Sequence, residues 1–144
     1  RQRQMCIRDR DYRTAITLEE QAVISEHTNE WQAAERVAIE LASGYLRARY
    51  DVDRAFAARG EERNPLLVQV IVHIALYQML HRLPQQMGYD RYKELYDEAL
   101  QWLSDVQRGV NNPNLPAPTD PSNGSKGGLE TIRSGGIKKS TYHY

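Results

Sequence analysis

The sequence predicts an all-α protein, a compact bundle of about four helices followed by a long, flexible C-terminal tail. Three observations support this prediction. In residues 11–109 the apolar residues recur at three- and four-residue spacing, and no alternating strand pattern is present. Helix start and stop signals flank these periodic stretches. From Val110 the composition changes to asparagine, proline, glycine and serine, which offer little apolar surface to bury.

The composition sets limits on the class of protein. A chain of 144 residues with 40% hydrophobic content suits one globular domain. The most apolar stretch is interrupted by Gln69, His73 and Gln78, so it does not reach the roughly 18 residues that a membrane span requires. Cys6 is the only cysteine, which leaves no basis for a disulfide or a zinc–thiolate site. Residues 11–109 contain 11 basic and 16 acidic residues, a balance that disfavours binding to DNA phosphates.

Residues 1–10, RQRQMCIRDR, are left out of the fold prediction. The phrase MCIRDR resembles a translated adapter read-through that recurs at the ends of assembled reading frames, so we interpret this segment as non-native. The alternative interpretation is a cationic arm for nucleic acid, because the segment carries four arginines and one aspartate.

The first two helices are predicted over residues 18–27 and 30–50. Thr17 and Glu20 have the spacing of a capping box, and Asn29 is placed to cap the second helix. The first helix is expected to bury Leu18, Val23 and Ile24. The second helix carries an apolar stripe that is expected to face the bundle, formed by Trp31, Ala34, Ala38, Leu41, Ala42 and Tyr45.

Residues 51–63 are predicted to be a loop that leads into the third helix. Asn64 can cap this helix and Pro65 can occupy its first position, where the missing N–H costs nothing. The third helix is expected to end at Leu83, before Pro84. It is apolar on nearly every side, which predicts a central place in the bundle.

The fourth helix is predicted over residues 91–107, with Asp90 as its cap. Gly109 supplies a left-handed C-terminal stop. The apolar stripe of this helix consists of Tyr92, Leu95, Tyr96, Ala99, Trp102, Leu103 and Val106. Residues 110–144 then form the predicted tail, whose end carries Ile137, Tyr142 and Tyr144. When fully extended, this tail reaches on the order of 100 Å.

The third helix carries a line of polar residues, Gln69, His73, Tyr77 and His81, whose histidines raise the question of a chemical site. The two histidines are eight residues apart, about 12 Å along a helix, so they cannot share a metal ion. As a general base, His73 would need a carboxylate supplied by another helix. The line is therefore predicted to be a polar packing boundary against another helix or subunit. No catalytic residue, cofactor site or metal site is predicted, and no enzymatic activity is expected.

Three phrases in residues 12–109 resemble the phage Mu-type head-completion, or head-to-tail joining, proteins. These phrases are SGYLRARYD, NPLLVQVIVHIALYQMLHR and DRYKELYDEALQWLSDVQRG. In that family a first helix follows a tyrosine, here Tyr12. The family phrase at the end of the long helix corresponds here to Tyr45, Leu46, Arg49 and Tyr50. The phrase of the central helix corresponds to His73, Ile74, Ala75, Tyr77 and Arg82. His73 stands where the family usually has aspartate, which puts a shared ion pair at that position in doubt.

The resemblance implies a structural part of the virion, present in the host cytoplasm during assembly. Such proteins form a ring below the portal, extend the DNA channel and present a surface to the next neck or tail protein. DNA is then only cargo in the channel, and no cofactor or membrane is involved. The predicted contacts with other copies or neighbours involve Tyr45, Arg49, Tyr50, His73, Tyr77, Arg82, Ile137, Tyr142 and Tyr144. The alternative hypothesis is a small helical DNA- or terminase-binding regulatory protein. Against it, the turn between the first two predicted helices is not followed by the basic recognition helix that such proteins use.

Overall fold

The structure, a computed structural model, describes residue 7 and residues 9–25, 28–79 and 89–118. These residues contain six α-helices, one 3-10 turn and no strand, which confirms the all-α fold class. The helices are α1 (Asp9–Tyr12), α2 (Leu18–Ser25), α3 (Thr28–Leu46), α4 (Val52–Ala57), α5 (Pro65–Met79) and α6 (Tyr89–Arg108), and the 3-10 turn is Gly60–Glu62.

Helix α5 lies at the centre of the bundle, as its apolar circumference predicts. It packs against both α3 and α6, which also pack against each other. Every residue from Val70 to Leu76 is buried, including His73. Burial of a continuous run of residues requires neighbours on several sides of a helix, and α3, α6 and α1 provide them.

The predicted capping box of α2 is confirmed. The Glu20 N–H donates to Thr17 Oγ1 at 3.3 Å, and the Thr17 N–H donates to Glu20 Oε2 at 2.8 Å. The predicted burial of Leu18 is wrong, because its side chain is 69% exposed. Leu18 is the first residue of α2 and lies on the side of the helix that faces solvent. The predicted burial of Val23 and Ile24 concerns side chains that lie outside the described part of the chain.

Helix α3 begins earlier and ends earlier than predicted. It starts at Thr28, so Asn29 lies inside its first turn and is not the cap. It ends at Leu46 instead of residue 50, since the chain turns over residues 47–50 while Leu46 accepts hydrogen bonds from the N–H groups of Arg49 and Tyr50, both at 3.0 Å. Its predicted stripe is confirmed, with the alanines buried and the larger members packed against the core.

The prediction of a loop over residues 51–63 is wrong. This segment contains α4 and the 3-10 turn. Asp51 caps α4 by accepting from the Arg54 N–H at 3.2 Å, and the helix buries Ala55 and Phe56. Gly60 has a φ of 61°, a value that favours glycine, at the start of the turn. Helix α4 has only six residues, fewer than two turns, which is too short for apolar periodicity to reveal.

The predicted signals at the start of α5 and the end of α6 are confirmed. Asn64 Oδ1 accepts from the Leu67 N–H at 3.0 Å, and Gly109 has a φ of 79°. Asp90 lies in the first turn of α6 and is not its cap, because the helix already begins at Tyr89. The predicted stop of α5 at Pro84 lies outside the described residues.

The first nine residues of the predicted tail pack onto the helices. The Asp51 N–H donates to the Pro116 carbonyl at 2.9 Å, and Asn64 Nδ2 donates to the Asn114 carbonyl at 3.2 Å. Leu115 also packs against the core. Within the predicted tail, residues 110–118 therefore contact the helices, because backbone carbonyls of this segment accept hydrogen bonds from Asp51 and Asn64. Residues 119–144 lie outside the described part.

At its other end, the packed region extends into the segment left out of the fold prediction. Ile7 packs against the core, and α1 begins at Asp9. That residues 1–10 are non-native stays a prediction.

Truncation of the chain is expected to show that residues 110–118 belong to the folded domain. A chain that ends at Gly109 loses the hydrogen bonds that Arg49, Asp51 and Asn64 donate to residues 110–118, and should be less stable than a chain that ends at Pro118 by on the order of 2 kcal/mol. Urea denaturation followed by circular dichroism measures the difference. Equal midpoints for the two truncated chains would contradict this assignment.

Candidate functional site

The polar line on α5 faces α6 along part of its length. Gln69 is exposed, His73 is 8% exposed and Tyr77 is half-buried. Glu98 of α6 acts electrostatically on His73, and the Tyr77 ring stacks on Tyr96 of α6. The line is therefore a polar boundary between two helices of the same chain in this region. The remaining member of the predicted line, His81, lies outside the described residues, as does Arg82.

The environment of His73 favours the neutral imidazole. Burial lowers the pKa of His73 below its usual value, and the nearby Glu98 carboxylate acts in the opposite direction but more weakly. The His73 side chain is only 8% exposed and lies among the buried residues of α5, where it contributes to helix packing. The geometry thus suits a packing role.

The low pKa of His73 predicts a stability that decreases at acidic pH. Below about pH 6.5 the unfolded chain binds a proton at this position more readily than the folded chain does, so stability present above that pH is lost as the pH falls. A His73→Leu variant should lose less stability between pH 7 and pH 5 than the wild type. Urea denaturation at each pH measures how the free energy of unfolding changes with pH. The other histidines are present in both proteins, so their contributions to this change cancel in the comparison. Parallel slopes would contradict the assignment.

Three tyrosines form a cluster between the end of α5 and the first half of α6. The rings of Tyr77 and Tyr96 are stacked, with centroids 4.0 Å apart and planes at 15°. The Tyr89 ring lies 6.5 Å from that of Tyr77 at 42°. A hydrogen bond with Tyr89 raises the pKa of Tyr77. We call Tyr77, Tyr89 and Tyr96 the tyrosine surface, because Tyr89 is 46% exposed and the other two rings are half-buried.

Arg49 fastens the end of α6 to the end of α3. Its guanidinium donates to the Val106 carbonyl at 2.6 Å and to Asn112 Oδ1 at 2.7 Å. The Val106 carbonyl, in the last turn of α6, accepts this bond in addition to one from the Gly109 N–H at 3.1 Å. A Cβ at position 109 would lie 3.1 Å from Arg49 Nη1. Glycine at this position therefore leaves room for the guanidinium, in addition to allowing the positive φ. Tyr45 and Tyr50 pack against the core next to this contact.

A cleft that the sequence did not predict lies between α1, the 3-10 turn and the start of α5. It has a volume of about 490 Å³ and is lined by residues that include Asp11, Glu61, Arg63 and Val68. Asp11 and Arg63 form a two-point ion pair at its edge, with N···O distances of 2.8 and 3.2 Å and side chains that are 11% and 9% exposed. Because these residues are 52 positions apart, no local sequence signal pairs them.

Tyr12 anchors α1 to α3 close to this cleft. Its hydroxyl donates to Glu35 Oε1, and its ring lies 4.2 Å from that of Trp31 between centroids, at 59°. Burial, followed by the Glu35 carboxylate, raises the pKa of Tyr12 well above its usual value. The phenol therefore stays protonated at neutral pH and serves as a hydrogen-bond donor that orients α1.

The described residues contain neither a metal-binding group nor a membrane-spanning helix. No cluster of three or more His, Cys, Asp or Glu side chains within them is suited to hold a metal ion. Across the same ranges, no helix combines the length and the apolar character needed to cross a bilayer.

Comparison with known proteins identifies the family. A protein-family model described as Bacteriophage Mu, Gp36 matches residues 4–131. The chain belongs to this Gp36 family. No curated protein and no solved structure matches the chain. The Gp36 match covers all six described helices and the packed segment 110–118, and it begins within the segment that we interpret as non-native.

In this Gp36-family protein the predicted interface residues fall into two groups. Arg49, with Tyr45 and Tyr50 nearby, lies at the end of α6, whereas His73 and Tyr77 lie beside its first half. Along α6, the contact positions Val106 and Tyr96 are separated by about 15 Å. Both groups contact other parts of their own chain. Their role between subunits stays a prediction, and the other predicted interface residues, Arg82, Ile137, Tyr142 and Tyr144, lie outside the described residues.

Proposed function

We propose that the protein is a non-enzymatic structural part of a phage particle, a head-to-tail adaptor that forms a homo-oligomeric ring below the portal during head completion. Membership of the bacteriophage Mu Gp36 family is the observation that carries this proposal. In it, the partners are further copies of the chain, the portal protein and the next neck or tail protein. The protein is located in the virion and, during assembly, in the host cytoplasm, and it works without a cofactor.

The arrangement of the helices supports an adaptor role. The polar side chains described above stabilise the bundle itself. His73 is buried between helices, Arg49 binds the end of α6, and the Asp11–Arg63 ion pair holds α1 in place. A rigid helical body is suited to repeated side-by-side contacts in a closed ring. The acidic excess in residues 11–109 suits a conduit that passes DNA without retaining it.

Residues 119–144 provide a segment long enough to contact a neighbouring protein. They follow the anchored segment 110–118 and contain the aliphatic and aromatic side chains of Ile137, Tyr142 and Tyr144. Such side chains contribute strongly at protein interfaces. We place contacts between subunits or with the portal in this segment, and contacts that stabilise the fold in residues 110–118.

Native mass spectrometry and electron microscopy of the full chain, alone and mixed with the portal protein of the same phage, test the proposal. We expect a ring-shaped oligomer that joins the portal. A chain truncated after Pro118, which keeps the anchored segment, is the matched variant and should remain folded but assemble more weakly. A protein that stays monomeric and joins neither portal nor tail components would refute the adaptor role. A salt-dependent shift of a DNA fragment would instead support the regulatory alternative.

A further inference from the structure

Helix α3 has an outward side that is exposed in the described part of the chain. Its other side carries the buried alanines and packs against α5 and α6. On the outward side Val37 is 49% exposed, and the side chains of Glu40 and Arg47 are 78% and 63% exposed. Gly44 lies between these two charged residues and is also exposed. We refer to Val37, Glu40, Gly44 and Arg47 as the α3 face.

Nothing in the described chain requires a glycine at position 44. Gly44 lies inside α3 and is not one of the glycines with a positive φ. No side chain or other part of the described fold would lie within 4 Å of a Cβ at this position. Glycine inside a helix is less favourable than alanine. What glycine provides here is room for the backbone of another molecule to approach the helix closely.

The charges of the α3 face are ordered along the helix. Glu40 precedes Gly44 and Arg47 follows it, and because they are seven residues apart, about two turns, both lie on one side of the helix. The helical path reaches Arg47, whose N–H donates to the Ser43 carbonyl at 2.9 Å. Within the chain this pair is weak, since its N···O distance is 3.7 Å and both side chains are exposed. The face therefore has an acidic end and a basic end, with glycine between them.

This order of charges makes the α3 face complementary to an antiparallel copy of itself. A two-fold axis that passes beside the midpoint of Ser43 and Gly44 leaves Glu40 and Arg47 each about 5 Å from the axis along the helix. Glu40 of each copy then lies opposite Arg47 of the other, so one contact forms two ion pairs. A parallel copy would place like charges opposite each other. The charges of the face thus select a second, antiparallel copy as its partner.

The same arrangement covers the apolar part of the face. Val37 lies about 10 Å from the axis, and the exposed Ala48 lies about 7 Å from it in the other direction. Val37 of one copy therefore comes close to Ala48 of the other. Because Gly44 has no side chain, the two helices can approach to an interaxial distance of about 8 Å.

We propose that the α3 faces of two copies pack antiparallel around a two-fold axis beside Gly44, joined by reciprocal ion pairs between Glu40 and Arg47. This contact goes beyond the proposed adaptor function. Neighbours in a ring of three or more copies contact each other through two different patches, whereas a two-fold contact joins a patch to itself. The contact therefore does not depend on ring formation.

Disulfide formation at position 44 tests the proposal, because only residues beside a two-fold axis meet their own counterparts. The variant is the full chain with Gly44→Cys, in which Cys6→Ser removes the other thiol. Helices about 8–10 Å apart have facing Cα atoms about 4–6 Å apart, a separation that suits a disulfide. The control is Ala33→Cys in the same background. Ala33 is exposed on the same side of α3, but its two copies would lie about 31 Å apart.

Under mild oxidation at micromolar concentration, we expect two Gly44→Cys chains to form their disulfide about tenfold faster than two Ala33→Cys chains. Adding Glu40→Arg or Arg47→Glu to the Gly44→Cys chain should slow the reaction about tenfold, since like charges then face each other. Non-reducing electrophoresis and mass spectrometry measure the products.

A mixture of these two charge variants separates the contact between copies from the ion pair within one chain. Each variant carries a single sign of charge at positions 40 and 47, so opposite charges meet only across the contact. The disulfide between the two different chains should therefore form at a rate within about twofold of that of the Gly44→Cys chain. Circular dichroism checks that each variant is folded, as expected for substitutions at exposed positions.

Equal rates for Gly44→Cys and Ala33→Cys would overturn the proposal, and so would a mixture that reacts no faster than its separate components. If the protein forms a ring with the portal but no disulfide at position 44, the two-fold contact is wrong and the adaptor function stands. Native mass spectrometry of the chain without these substitutions measures the ring separately.

Discussion

Replacing Leu76 by alanine is expected to lower the free energy of unfolding by about 2–5 kcal/mol. The Leu76 side chain is 1% exposed and belongs to the core around α5, the helix that both α3 and α6 contact. Removing it takes away apolar contacts and leaves a cavity that the surrounding helices cannot fill without moving. Because small domains are stable by only about 5–15 kcal/mol, a loss at the upper end of this range leaves a partly unfolded population.

Leu66→Ala is the matched control, since it is the same substitution in the same helix at a position that is 51% exposed. It should change stability by less than about 1 kcal/mol. Urea denaturation followed by circular dichroism and by tryptophan fluorescence measures both variants. Similar losses for Leu66→Ala and Leu76→Ala would mean that α5 is not the centre of the core.

Replacing Arg63 by methionine is expected to cost about 3–5 kcal/mol, because it leaves Asp11 without its buried cationic partner. The two side chains are 9% and 11% exposed and meet through two hydrogen bonds, and Arg63 Nε also donates to the Gly60 carbonyl at 3.2 Å. Water therefore cannot readily solvate a carboxylate that has lost this arginine. The expected loss exceeds the value of the ion pair itself, since the Asp11 carboxylate loses its arginine in a site where its side chain is only 11% exposed.

A double variant separates these two contributions. Asp11→Leu combined with Arg63→Met removes both charges and should recover most of the stability that Arg63→Met loses. The exposed pair Arg47–Glu40, with an N···O distance of 3.7 Å and side chains 63% and 78% exposed, is the control. Arg47→Met should cost at most about 1 kcal/mol. If Arg63→Met costs no more than Arg47→Met in urea denaturation, the pair is solvated and α1 is held by other contacts.

Helix ends and helix faces were largely predictable from the sequence. The capping box of Thr17 and Glu20, the Asn64 cap and the positive φ of Gly109 all involve groups within about four residues of one another, so neighbouring residues are enough to specify them. The apolar circumference of α5 likewise predicted its central position. The prediction missed α4, which has only six residues and shows no apolar periodicity. It also placed the start of α3 wrongly, because Thr28 and Asn29 are both residue types that can begin a helix.

The identity of the candidate site was less predictable, because it depends on which distant residues meet. His73 and Tyr77 were identified as a polar line, but only the structure shows that Glu98 and Tyr96 of α6 face them. The cleft beside Asp11 and Arg63 gave no signal at all. The segment 110–118 has the composition of a flexible tail, yet its backbone carbonyls meet Asp51 and Asn64.

The all-α class, the order of the main helices and the central place of α5 could all be predicted from sequence patterns. The resemblance to a phage Mu family could be as well, and the family match over residues 4–131 agrees with it. How α1 and the end of α6 are held became clear only from the folded structure. Arg63 meets Asp11 across 52 positions, and Arg49 meets the Val106 carbonyl across 57. Periodicity and caps report interactions within one or two helical turns, whereas pairs at such separations form only after packing fixes the relative positions of the helices.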